Sequence, residues 1–179
     1  MERLALTQGY YALVDEQDYD RLVKFRWHVK KSRGFIYGVR SVSVRGWFKT
    51  IPLHYDVLGL CYPMPGFTVD HINGNGLDNR RGNLRLCTPS QNHYNKPPRK
   101  GARSKYKGVI PVQRKHGYKY EANITVNKKR RHLGTYDNEY TAMSVYNSWA
   151  MRLHREFAYL NIWEGPSIAG EREPIPEGK

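Results

Sequence analysis

The chain has 179 residues, enough for one ordinary domain or two small ones with modest cores. Its 39% hydrophobic content suits a folded protein, and its longest apolar runs are far too short to span a bilayer as a helix. Thirty Lys and Arg against 16 Asp and Glu leave a formal net charge of +14, which points to a polyanionic partner and away from a membrane-embedded or acidic solvating role.

Residues 1–65 are expected to form an α+β region. Asp15, Glu16, Asp18 and Asp20 arrive early, so no basic-then-apolar signal segment is read and a cytoplasmic location is expected. Tyr10 to Val14 reads as a strand, and Asp15 is placed to cap a short helix with Tyr19, Leu22, Val23 and Phe25 on its apolar side. RGFIYGVRSVSV and RGWFKTIPL, rich in β-branched and aromatic residues and broken by Gly34 and Gly46, predict paired strands. LHYDVLGL predicts a short helix before Pro63 and Pro65, and it carries His54.

Residues 66–97 concentrate the chemistry. Phe67 to His71 reads as a strand, INGNGLDNRRG as a polar loop with positive φ at Gly74 and Gly76, and Asn83 to Thr88 as a second strand. Ser90 is expected to cap a helix through SQNHYNK that Pro97 and Pro98 stop. Asp70 offers a hard oxygen ligand, His71 a base for water, and Asn92 a second oxygen ligand from another element, the components of one-metal phosphodiester hydrolysis. Asn95 and His93, on the same helix, are alternatives to Asn92. Arg80, Arg81 and Arg85 flank the loop as candidate phosphate clamps. Cys61 and Cys87 are far apart with no C-x-x-C pair, which leaves a zinc ribbon unsupported and predicts two buried free thiols.

KPPRKGARS, residues 96–104, reads as a basic stretch whose 98–104 part is the linker. From Lys96 to His132 thirteen Lys and Arg face a single acid, Glu121, a one-sidedness that suits nucleic acid better than ordinary surface. Three short strands, YKGVIPVQRK, YKYEANITVN and KRRHLGTY, are followed by a periodic helix starting after Asp137 or Asn138. Alternation turns Tyr120, Ala122 and Ile124 toward the helix, and Lys119, Asn123 and Thr125 outward with Arg130 and His132. Lys107 and Arg114 complete the candidate contacts. Residues 163–179 are expected to be a disordered tail.

VDHINGN, DNRRGNLR and PSQNHYN, in this order and spacing, resemble the HNH endonucleases, in particular the phage and intron-encoded homing type. The resemblance implies a ββα-metal nuclease module within an α+β protein. It implies His71 as general base, Asp70 and Asn92 as ligands of a divalent cation (Mg²⁺ first, Mn²⁺ second), and Asn83 as the residue that ties the loop together. Residues 105–161 resemble the plant ethylene-response-factor type DNA-binding domain through YKGV, RHLGTY and FAYLN, although Ile110, Thr125 and His132 depart from its usual residues. The implied partner is double-stranded DNA, with no membrane and no protein partner, in the host bacterial cytoplasm if the gene is a phage's. A monomer and a dimer both remain open, and a non-catalytic DNA-binding regulator on a degenerate nuclease fold is the alternative function.

Overall fold

A computed structural model describes residues 1–32 and 34–165. Strand β1 (Glu2–Ala5) pairs antiparallel with β2 (Tyr11–Val14), and the inward residues Leu4, Ala12 and Val14 are buried. Helix α1 (Glu16–Leu22) follows. Asp15 stands at its N-cap, but its carboxylate accepts from the backbone N–H of Arg81 (2.8 Å) instead of capping its own helix. A three-stranded antiparallel sheet in the order β3 (His28–Ser32), β4 (Phe35–Val44), β5 (Trp47–Pro52) comes next, and helix α2 (Leu53–Leu58) packs on it. The short strands β1 and β3 have no counterpart in the sequence reading, because neither segment carries a strong alternating apolar signal.

Strands β6 (Thr68–His71) and β7 (Leu84–Cys87) form an antiparallel pair that sets Asp70 opposite Arg85, and helix α3 (Pro89–Asn95) follows. The cap of α3 is Thr88, not Ser90. Its hydroxyl accepts from the Gln91 N–H while the Gln91 side chain returns to the Thr88 N–H, with Pro89 in the first turn. This reciprocal capping box was encoded in T-P-S-Q. Leu4, Leu6, Val14, Leu22, Trp27, Leu53, Val57, Val69 and Leu84 share one core, so the N-terminal 65 residues buttress the β6–β7 pair.

The loop between β6 and β7 is fixed at both faces. Leu13 of β2 bonds to it through Leu77 and Asn79 (2.8 Å each). On the other side, a Cβ at Gly76 would lie 2.3 Å from the Ile36 carbonyl oxygen, so Gly76 serves close approach to β4; only Gly74 of the two expected positions has positive φ.

The C-terminal unit is a sheet in the order β10 (Lys129–Tyr136), β9 (Gly117–Val126), β8 (Val109–Arg114), covered by α4 (Glu139–His154). Asn138 caps α4 by accepting from the Thr141 N–H (2.8 Å). Ala122 packs with Ala142 and Met143, and Ile124 with Tyr146 and Ala150, as alternation expects. Trp163 stacks on Tyr106 (centroids 5.5 Å apart), so ordered packing continues into the segment expected to begin the tail; residues 166–179 lie outside the described residues. No helix among the described residues is long and apolar enough to cross a membrane.

Candidate active site

A cleft of about 290 Å³ opens between the β3–β4–β5 sheet and the β6–α3 face. Tyr37, His54, Asp70, His71, Asn92 and Asn95 line it. Strand β6 is responsible for the first pair: its last two residues are buried, yet both border the cleft.

His71 Nε2 lies 3.2 Å from Asn79 Oδ1. A carboxamide oxygen only accepts, and the Asn79 Nδ2 donates to the Gly76 carbonyl (3.4 Å), which fixes the amide's orientation. The hydrogen of His71 therefore sits on Nε2, and Nδ1 keeps its lone pair. Burial lowers the His71 pKa, against the opposing pull of the Asn79 bond, Asp70 and Asp78, so the ring is neutral at pH 7. The His54 ring stands edge-on to it at 5.0 Å and is pushed down to about 3 by burial, with His71 adding to the shift. Sequence reasoning missed Asn79, which no local signal separates from the other asparagines of the loop.

Asp70 is held by three donors. Arg85 approaches its Oδ2 through Nε (3.0 Å) and Nη2 (2.8 Å), and the Asn95 amino group reaches both oxygens at 3.1–3.3 Å. That amino group also donates to the carbonyls of His71 (3.0 Å) and Ile72 (3.2 Å). Four acceptors around one nitrogen forbid the flipped amide, since its oxygen would then face only acceptors. The Asn92 side chain borders the cleft and takes part in no hydrogen bond among the described residues, where no cluster of three or more His, Cys, Asp or Glu forms either. One carboxylate plus one carboxamide oxygen fits a hard cation that keeps most of its water, and does not fit zinc.

Asn83 sits among loop groups away from the cleft. Its oxygen accepts from the Asn73 N–H (3.0 Å), and its amino group donates to Asn73 Oδ1 (3.0 Å) and the Asp78 carbonyl (2.7 Å). The loop is thus closed on itself under the imidazole.

A family model described as HNH endonuclease matches residues 61–94, the stretch that carries this geometry. Protein 3.8 of Escherichia phage T7 is 30% identical over 97 residues, covering 54% of this chain and 78% of the phage protein. The chain belongs to the HNH endonuclease family. An uncharacterized HNH endonuclease of Acanthamoeba polyphaga mimivirus is 28% identical over 155 residues, 86% of this chain and 76% of the viral protein. No solved structure matches the chain.

Several expected contact residues of this HNH endonuclease have internal partners. Arg81 is not free to clamp phosphate: it forks onto Asp18 (2.7 and 2.8 Å) and the Val57 carbonyl (2.8 Å), and holds the Asp18 carboxyl below its usual range. Asp18 is buried, so its charge requires that partner, which lies 63 positions away in sequence. Arg80 forks onto Asp78 (2.8 and 2.7 Å) while remaining at the surface, and Arg85 is committed to Asp70. Lys107 is likewise corrected. Its ammonium donates to the carbonyls of His93 (3.2 Å), Tyr94 (2.7 Å) and Lys96 (2.6 Å), where burial and Lys96 push it down to about 8. It neutralises the C-terminus of α3.

Arg114, Lys119, Asn123, Thr125, Arg130 and His132 do share the sheet face that α4 leaves uncovered. Thr125, Arg130 and His132 are exposed; Arg114 lies 3.7 Å from Glu121, and Lys119 pairs with Asp137. Asn123 is buried, and its oxygen faces Arg130 Nε (3.1 Å) and His132 Nδ1 (3.4 Å), so it orients those two side chains. Cys87 is buried as expected, whereas Cys61 is exposed because it follows the end of α2 in a surface turn.

Proposed function

We propose that this HNH endonuclease hydrolyses a phosphodiester linkage in double-stranded DNA with the help of a hard divalent cation, Mg²⁺ or, second, Mn²⁺. Strands β6 and β7 with α3 act as its ββα-metal unit. One observation carries the reading: a neutral imidazole with a fixed tautomer, a carboxylate and an unengaged carboxamide border one cleft.

Asp70 and Asn92 are the residues that would hold the cation, Asn95 being excluded by the amide orientation that its four acceptors impose. When bound, the ion neutralises charge that builds on the scissile phosphate. His71 Nδ1 takes a proton from water, the water oxygen bonds to phosphorus, and the P–O3′ bond breaks with its electron pair leaving on O3′. Solvent protonates O3′, giving 5′-phosphate and 3′-hydroxyl ends. Asn79 keeps the imidazole aimed, and Arg85 holds the Asp70 carboxylate in place.

Residues 105–162 act as an ethylene-response-factor-like reader. Arg114, Lys119, Arg130 and His132 position phosphates, and Thr125 meets base edges. Relatives in Escherichia phage T7 and Acanthamoeba polyphaga mimivirus favour a viral enzyme, and the reading extends to a phage homing-type endonuclease working in the host cytoplasm. Supercoiled plasmid incubated with the protein is expected to be cut with Mg²⁺ and left intact in EDTA. His71→Ala should slow cutting by at least about 100-fold with DNA binding retained. Unchanged cutting by that variant removes His71 from the mechanism.

A further inference from the structure

The β4–β5 hairpin ends in a patch that the nuclease chemistry does not use. Arg45 (φ 50°) and Gly46 (φ 82°) make a two-residue turn with positive φ at both positions, the tight turn that matches strand twist. Beside it Trp47 is 81% exposed, Phe48 84% and Val44 51%. Isolated exposed apolar residues are ordinary, but two adjacent large aromatics at a projecting tip are not.

The register gives the patch its meaning. Directly paired residues share a face, and the pairs Lys30↔Tyr37, Ser32↔Phe35, Val39↔Pro52, Ser41↔Thr50 and Ser43↔Phe48 put Phe48 on the same face as the cleft-lining Lys30, Ser32, Phe35, Tyr37, Val39, Thr50 and Pro52. Phe48 therefore extends the cleft wall, whereas Trp47, paired with Val44, stands on the opposite face of the hairpin tip. From Thr50 to Phe48 is two residues, roughly 7 Å, or about two base-pair rises along a duplex. The sequence from Arg21 to Tyr55 contains nine Lys and Arg and no Asp or Glu, and Lys30, Arg45 and Lys49 are exposed on this sheet. An anion is the partner that this charge complements.

Resting on the reading of the protein as a DNA endonuclease, we infer that the β4–β5 tip is a second DNA-contacting element, with Phe48 wedging between base pairs a few steps from the cut phosphate and Trp47 packing against the groove wall from the other face of the hairpin. Lys30, Arg45 and Lys49 hold the flanking backbone. Apolar wedges of this kind unstack a step and bend or unwind the duplex. The wedge fixes how far along the helix the scissile linkage lies, independently of what the C-terminal sheet reads.

The test is relaxation of a closed circular plasmid by a metal-independent topoisomerase in EDTA, where the endonuclease binds without cutting. The wild-type protein should shift the topoisomer distribution in proportion to bound protein. A Trp47→Ser, Phe48→Ser double variant should bind a short mixed-sequence duplex at least about ten-fold more weakly and, at equal occupancy, give no shift. Both side chains are in solvent, so its melting temperature should equal that of the wild type. If the wild-type protein binds and cuts DNA but gives no shift, or the double variant shifts topoisomers equally, the wedge is overturned while the nuclease reading stands. If the wild type fails to bind duplex at all, both fall. If the substitutions change only the sedimenting mass of the free protein, the patch is a self-association surface and the wedge is overturned.

Discussion

Asn79 decides more about His71 than any charged neighbour does, because it chooses which ring nitrogen carries the hydrogen. Replacing Asn79 with Leu should lower the single-turnover cutting rate by about 10- to 100-fold, the range for a residue that acts through another. Asn79→Asp separates positioning from mere packing. A carboxylate on Nε2–H favours the imidazolium, so the His71 pKa rises and the acid limb of the pH–rate profile moves to higher pH. In the unchanged protein burial lowers that pKa, so the acid limb of cutting should lie at lower pH than an unperturbed histidine would place it. That Asp70, His71 and Asn92 would come together at one cleft was legible from residue type and spacing. Asn79 was not, since an Asn inside a Gly/Asn loop has the same local signature whether it closes a turn or buries itself under a catalytic ring. Arg81 was misread for a related reason: one-dimensional proximity to the motif says nothing about a buried acid brought in from α1.

At the element scale α3 depends on its first turn. Thr88→Ala removes the hydroxyl half of the capping box and should lower stability by about 1 kcal/mol in urea unfolding. A larger loss in cutting than that stability change predicts would mean that the Asn92 and Asn95 carboxamides shift with the helix. The strongly patterned elements, β2, β4, β5, β8, β9, β10 and α4, were legible from alternation and period. Strands β1 and β3 escaped because a four- or five-residue edge strand rich in charge carries too few apolar positions to show a period, and only the shared core with Val69 and Leu84 gives them a purpose.

Across the whole molecule the nuclease unit and the C-terminal sheet unit are joined by more than residues 98–104. Tyr94 of α3 stacks flat on His154 (3.8 Å, 7°), its hydroxyl accepts from the Asn127 N–H (3.0 Å), and its carbonyl accepts from the Tyr159 N–H (3.2 Å). Arg85 reaches past Asp70 to the Glu156 carbonyl and lies over the Phe157 ring at 4.2 Å. Lys107→Met should cost about 2 kcal/mol of stability and raise amide exchange at the end of α3. It should leave the salt dependence of DNA binding unchanged, whereas loss of a true phosphate contact would reduce the slope by about one. The sequence could not disclose this joint: the Tyr94–His154 stack and the Lys107 carbonyl cradle are products of folding, and the intervening Pro- and Gly-containing stretch looks like free tether.

The Tyr94 joint also limits how such an enzyme can acquire new targets. Recombination at residues 98–104 would leave Tyr94 without its imidazole platform and α3 without the ammonium beneath its last carbonyls, so a transplanted reader would have to bring a matching ring and cation. Under the proposed reading, retargeting by point change on the open face of β8, β9 and β10 leaves the joint intact. Divergence in this lineage should therefore accumulate on that face, with Tyr94, Lys107 and His154 retained together.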